Sequence, residues 1–366
     1  ADNLALAQKA AAQGFSATGR LLSNYNITRG QLAAALEAPL EAIDELLAGP
    51  SHAPLLMIDG EDAIAAGAQE SARQNTAALL QGGQWRGSLR FFRPGGIPLP
   101  TAVDDIISVV KAAQTPAGFL LDGLIFPKLE NEAEAQWLHE LLTRLEDALT
   151  LPPHQIKVNA LIESAGGVEH VLAIAQTLHP RLSGLIFGTA DYAASVGLPE
   201  ISYTHPLCDW ARGRIINTAG LLDVPAIDAM TLNYPVAILG YTAAQNRTHL
   251  LGRLKECYDD CWHSIRWGMK GKLVGHPLQL FVTLLAFHVH HRQTDWAAKL
   301  NELRLYHQSL HDGKGVIALE GAMIDRATDV QARRRLREGV ALGYVDGHEA
   351  AALGVITAAE LAMISK

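Results

Sequence analysis

The 366 residues carry a net charge of −8 and a pI near 6.0, with 49% apolar and 19% charged residues. That composition supports a large buried core, excludes a disordered chain, and offers no positive field for nucleic acid or an anionic membrane. No apolar run approaches the ~20 residues that span a bilayer, and the three cysteines Cys208, Cys257 and Cys261 are too few for a disulfide framework, so a cytoplasmic, reducing setting is expected.

Residues 1–19 read as an Ala-rich helix closed by a Gly-bearing turn, without the basic and apolar regions of a secretory signal. Residues 20–27 are a weak candidate for a first strand. Residues 31–48 place apolar side chains at helical spacing up to a stop at Gly49 and Pro50. A regular alternation then begins. Strands are expected at 55–59, 88–93, 123–127, 157–162, 184–187, 225–228 and 272–275, with helices at 63–81, 104–113, 132–149, 167–178, 208–219 and 250–267. The strands are apolar on both faces, as in a parallel sheet covered by helices. Seven clear strands, eight with the weak one, over roughly 270 residues is the count of a (β/α)8 TIM barrel. A doubly wound open sheet is the rival. It would more often carry a Gly-rich phosphate loop after its first strand, and neither G-x-G-x-x-G nor a P-loop occurs. The expected organisation is an N-terminal helix (1–19), a catalytic barrel (20–295) and a helical segment (296–366) suited to a lid or a subunit contact.

Two stretches carry the chemistry. Leu161, Ile162, Glu163 and Ser164 form one; Phe187, Gly188, Thr189, Ala190 and Asp191 form the other. Each is an apolar run ending in a carboxylate beside small residues. At the C-terminal ends of successive parallel strands, Glu163 and Asp191 would open on one cleft, a natural seat for a hard divalent cation. The alternative is that each caps the helix that follows. Arg93 stands at another strand end. Its planar fork suits a carboxylate or a developing enolate oxygen, or else a structural pair with Glu61. Arg90, three residues earlier, points to the opposite face of a regular strand. His276 reads as structural or pocket-lining. His288, His290 and His291 find no partner at ligand spacing from a second element, so no zinc site is expected.

Taken in order, these motifs resemble the HpcH/HpaI aldolase/citrate lyase superfamily, on its citrate lyase β-subunit-like and malyl-CoA lyase-like side. Met57, Ile58, Asp59, Gly60, Glu61 and Asp62 look like the L-D-L-E-D block. Phe92-Arg93 matches V-R-[IV]-N, and Ile125 to Lys128 matches [IL]-P-K. Ile162-Glu163-Ser164 matches I-E-[ST], and Gly188 to Ala193 matches G-x-x-D-[LF]-A. Gly275, His276, Pro277 and Gln279 match x-H-P-x-Q, and residues 318–325 resemble A-x-[DE]-G-x-M-[IV]-D. The resemblance implies a phosphoenolpyruvate-type barrel with a C-terminal lid, and Mg2+ (Mn2+ as the alternative) held by Glu163 and Asp191. Arg93, Glu61, Asp62 and Asp325 would be catalytic, and Gly188, Thr189 and Ala190 would join Arg93 in binding substrate. It also implies a homo-oligomer, trimer or hexamer, in which Asp325 reaches into a neighbouring subunit's site. The implied reaction is reversible aldol- or Claisen-type cleavage of a 3-hydroxyacyl-CoA-type substrate to an oxo-acid and an acyl-CoA. Some relatives add thioester hydrolysis and act as malate synthases.

The chain departs from this pattern on the substrate side. Residues 23–28 lack the family's Pro-Gly turn, Gln69 stands where Lys is frequent, and Pro94 replaces the Asn after the strand arginine. The carrier is therefore left open, and a CoA-independent class II pyruvate aldolase is the nearest alternative. Those enzymes place a His after the Glu, where this chain has Asp62, and they lack the Met-Ile-Asp lid element. A non-catalytic barrel is disfavoured by the joint presence of Glu163, Asp191, Arg93 and Asp325.

Overall fold

The computed structural model describes all residues except 1–3, 6, 7, 10, 11, 13–15, 17, 50–52, 62, 63, 66, 86, 98, 320, 365 and 366. Most of the expected helix 1–19 lies outside the described residues. The chain divides after Phe287 into two compact units.

The larger unit is built on a seven-stranded parallel sheet whose strands follow one another in chain order: Leu55–Asp59, Leu89–Arg93, Gly123–Phe126, Lys157–Ile162, Leu182–Phe187, Ala226–Asp228 and Gly271–Lys272. Six stand where short apolar runs between turn residues place them, and the seventh, expected at 272–275, is instead the short Gly271–Lys272, with residues 273–275 beyond it. Parallel neighbours need a crossover, and the intervening helices supply it. One sheet face packs under those helices. Phe92, Leu124, Phe126, Val158, Ala160, Ile162, Leu185 and Phe187 form this core with helix residues such as Ile106, Val109, Leu138, Leu142, Ile174 and Ile215. The alternate strand positions make a second, smaller cluster of Phe91, Ile125, Leu161 and Ile186, with Leu55, Met57, Ile227 and Leu273 against it. Two apolar faces with helices on one of them are the arrangement of a half-barrel.

A closed eight-stranded barrel does not follow. The first and last strands of the sheet are unpaired with each other, and residues 20–27 do not supply an eighth. They lie mostly within the helix Thr18–Asn24, whose buried residues are Thr18 and Leu22. Spacing of four residues, one helical turn, therefore sets which side chains are inside, and Ile27 is buried only after the chain has turned at Asn26. The expected helix 31–48 is two helices, Arg29–Leu36 and Leu40–Ala48. The break comes at Glu37, in the left-handed region, and Pro39, which cannot continue a helix. The expected helix 167–178 is likewise split into Ala165–Glu169 and Val171–Leu178.

The second unit has its own core of Trp296, Leu300, Leu303, Leu336, Val340 and Ile356. Helices Trp296–His311 and Arg326–Ala341 pack together, and a short hairpin, Ile317–Leu319 with Ala322–Ile324, joins them. The histidines at its start are structural. His288 Nδ1 is 3.0 Å from Tyr344 Oη, Arg335 reaches His290, and His291 stacks on Trp296. No group of three or more His, Cys, Asp or Glu suited to a metal ion occurs among the described residues. No helix among them is long and apolar enough to cross a membrane.

Candidate active site

Strand periodicity sets the site. Met57, Phe91 and Leu161 belong to the inner-face cluster. Two residues further along, on the same face, stand Asp59, Arg93 and Glu163. The register is direct: Asp59 is the lateral partner of Arg93, and Ile162 of Phe187, so Glu163 is carried beside Gly188. All of these lie at the C-terminal edge of the sheet, where α/β folds of this kind place their chemistry.

The Arg93 guanidinium grips Asp59 with two bonds, Nε to Oδ1 at 2.8 Å and Nη2 to Oδ2 at 2.7 Å. Its Nη1 lies 3.0 Å from Glu61 Oε2. Burial opposes the charge on Arg93. The bond to Asp59, followed by the charges of Asp59, Glu61 and Glu163, more than offsets this and holds its pKa above the ordinary value. Arg90 faces the other way and pairs with Asp122 at 3.1 Å. Glu61 reaches the cluster because Gly60 lets the chain pass close under the second strand. Its N–H bonds Arg93 O at 2.8 Å, and a Cβ there would stand 2.7 Å from the Phe92 ring. Glu61 is buried, with Lys128 Nζ 3.1 Å from its Oε1. Asp62 lies outside the described residues.

Glu163 is buried at 4% exposure. Burial first, then the negative charges of Asp191 and Glu61, push its pKa up to about 8, against the smaller opposing pull of Lys128 and Arg93. It does not cap the helix that follows. Ser164 does, accepting from Gly167 N–H at 3.0 Å. Glu163 Oε1 instead accepts the backbone N–H of Lys128 at 3.2 Å. Gly188 makes room for it, since a Cβ there would fall 2.6 Å from Glu163 Oε2. Asp191 is exposed in the first turn of Thr189–Ser195. Thr189 is buried, and its hydroxyl has no hydrogen-bond partner among the described residues.

The donor set fits a hard divalent cation that keeps several of its own waters. It offers two carboxylates from adjacent strand ends, one of them with its pKa raised by burial and by its acidic neighbours, and a cradle that any side chain at Gly188 would fill. It does not fit a closed protein cage of nitrogen or sulfur ligands.

Two members of this cluster carry no role in the sequence reading, Asp59 and Lys128. For Asp59 the available signal was its place two residues after Met57, beside the arginine's strand. For Lys128 it was the position just past a strand end, after Pro127. His276 is half-buried, with burial lowering its pKa, and accepts Leu278 N–H at 3.2 Å. Gln279 ties the same turn to Thr231 O at 2.8 Å. Asp325 is the N-cap of Arg326–Ala341, bonded to Ala327 N–H at 2.8 Å and Thr328 N–H at 3.2 Å.

Residues 48–237 match the HpcH/HpaI aldolase/citrate lyase family. The chain belongs to that family. It is 26% identical over 275 residues to the mitochondrial citramalyl-CoA lyase of Rattus norvegicus, covering 74% of each chain. Its fold resembles that of a citrate lyase from Burkholderia xenovorans, with a TM-score of 0.66, 17% identity, and 86% of this chain and 91% of the other covered. It also resembles protein CitE from Mycobacterium tuberculosis, solved with magnesium, acetoacetate and coenzyme A. There the TM-score is 0.52 and the identity 20%, with 77% and 88% covered. The protein is thus an enzyme of the carbon–carbon lyase class.

Proposed function

We propose that this enzyme is Mg2+-dependent and splits, or in reverse builds, a 3-hydroxyacyl-CoA-type substrate into an oxo-acid and an acyl-CoA. The observation that carries the reading is the facing of Glu163, buried and electrostatically short of a cation, with the doubly held Arg93. Glu163 and Asp191 are the proposed ligands of Mg2+, which when bound would chelate the oxo-acid part of the substrate and polarise its carbonyl. The relatives' chemistry supports the substrate class, and the solved CitE complex supports the metal.

The chain's own groups divide the remaining work. A base takes the proton of the substrate's 3-hydroxyl, the adjacent C–C bond breaks, and its electron pair goes to the thioester enolate. Three of Arg93's N–H groups face Asp59 and Glu61, leaving two of its five donors for the enolate oxygen. Gly188 and Ala190 keep the substrate's edge free of bulk, and Thr189 brings one unspent hydroxyl to it. Asp325, delivered from a neighbouring subunit of a homo-oligomer, protonates the enolate carbon. Its capping of a helix is compatible with that role. Three buried free cysteines suit a reducing, cytoplasmic setting.

The test is a panel of malyl-, methylmalyl-, citramalyl- and citryl-CoA beside free hydroxy-oxo acids, with Mg2+, scored for oxo-acid release. Release from a thioester and not from free acids is expected. Release from the free acids instead would assign a CoA-independent aldolase, and no release from any would sink the lyase reading. Separately, Asp325→Asn keeps a capping side chain. Mixing that inactive chain with inactive Arg93→Lys chain should restore activity, and failure to do so would remove the cross-subunit role.

A further inference from the structure

We propose that Lys128 is a positioning residue that sets the charge of the site for an anionic substrate. This rests on the reading of Glu163 and Asp191 as the metal ligands. Lys128 follows Pro127 just beyond the strand Gly123–Phe126, and its backbone lies in the left-handed region, φ 55°. That region is unfavourable for a long side chain and persists where the surroundings demand it. Here the demand is visible at both ends of the residue. The N–H turns to Glu163 Oε1 at 3.2 Å, and the ammonium reaches Glu61 Oε1 at 3.1 Å. One residue thus holds two buried carboxylates that come from different strand ends.

The charge count shows what the ammonium is for. Among the described residues, which leave out Asp62, with every group ionised Asp59, Glu61, Glu163 and Asp191 contribute four negative charges, and Arg93 and Lys128 two positive ones, giving 2 − 4 = −2 for this set. A divalent cation brings the site to zero, and a 2-oxo acid anion then enters a neutral pocket. Without the Lys128 charge the loaded site would stay at −1 and repel that anion, while its pull on the cation would be undiminished or greater. Lys128 therefore governs the anion and not the metal. A merely structural lysine would weaken both together.

The experiment separates these effects by binding, apart from turnover. Mn2+ is titrated into wild-type protein and into Lys128→Gln, which keeps the backbone N–H that bonds Glu163 but removes the charge; glyoxylate is then titrated into each Mn2+-loaded protein. Lys128→Gln should bind Mn2+ as tightly as wild type or more tightly, and glyoxylate at least tenfold more weakly. Adding Glu61→Gln, which restores the charge balance, should bring glyoxylate binding back to within threefold of wild type. Lys128→Arg, which keeps the charge and guards against a poorly folded Gln variant, should also stay within threefold. Unchanged glyoxylate binding in Lys128→Gln, absence of rescue by Glu61→Gln, or a tenfold loss in Lys128→Arg overturns the inference alone. A wild-type protein that binds no Mn2+ overturns the proposed function and this inference with it.

Discussion

Arg93 and Arg212 each grip an aspartate at the end of a strand, Asp59 and Asp228, yet the buried carboxylates beside them, Glu163 and Asp228, are shifted in opposite directions. Around Arg93, four acids meet two bases. Around Arg212, buried Lys272 and Arg212 meet buried Asp228 and Asp260, with Lys272 2.8 Å from Asp260 and 3.8 Å from Asp228, and Arg212 also pairs with Asp209 at 2.8 Å, which His263 holds from the other side. Ser264 and the Ala229 N–H complete the shell of Asp228. Burial alone would raise the Asp228 pKa, but Lys272 and then Arg212 hold it below the ordinary carboxylate value. At Glu163 the same burial acts without enough compensation, and the pKa rises. The cluster around Asp228, on the helix-covered side of the sixth and seventh strands, compensates its buried carboxylate from within the chain. The cluster around Glu163, on the other face, leaves its buried carboxylate uncompensated and is the seat proposed for the cation.

The largest effect that would break this comparison lies at the site. Asp191→Ala should lower metal-dependent kcat/KM by at least about 10³-fold, while a thermal melt stays close to wild type because the side chain is exposed. Retained turnover would remove Asp191 from the metal. The cluster around Asp228 should respond in stability and not in turnover. Asp228→Asn leaves Arg212 and Lys272 buried without their counter-charge and should destabilise the larger unit by about 3 kcal/mol, read by urea denaturation. A loss below about 1 kcal/mol would mean that the network relaxes freely.

The smallest effect sharpens the contrast by titration. Glu163 keeps its proton up to about pH 8 in the folded protein but would lose it near 4.5 when unfolded. Between those values the folded state binds more protons, so the stability of the metal-free protein should fall as pH rises, by at most ~1.4 kcal/mol per pH unit from this group. Mg2+ competes with that proton, so its apparent affinity should rise over the same window. Differential scanning fluorimetry across pH 5 to 8, with and without Mg2+, reads both trends. A Glu163→Gln protein that keeps the same metal-free slope would place the titration elsewhere.

The seven strands, the strand-end places of Arg93, Glu163 and Asp191, and the crossover helices were legible in the chain itself. All depend on local pattern: alternation, short apolar runs and the residues that stop them. What lay beyond the sequence were decisions made by residues far apart in the chain. Residues 20–27 are as compatible with a strand as with a helix until burial of Leu22 with Thr18 chooses the helix. The opposed charge of Arg93 and Asp59 requires a register between strands 34 residues apart. The left-handed turn at Lys128 becomes worthwhile only when Glu61 and Glu163 stand on either side of it. Local sequence determined which residues reach the edge of the sheet. Only the packing of the strands decided which charges meet there, and so left Asp228 compensated and Glu163 not.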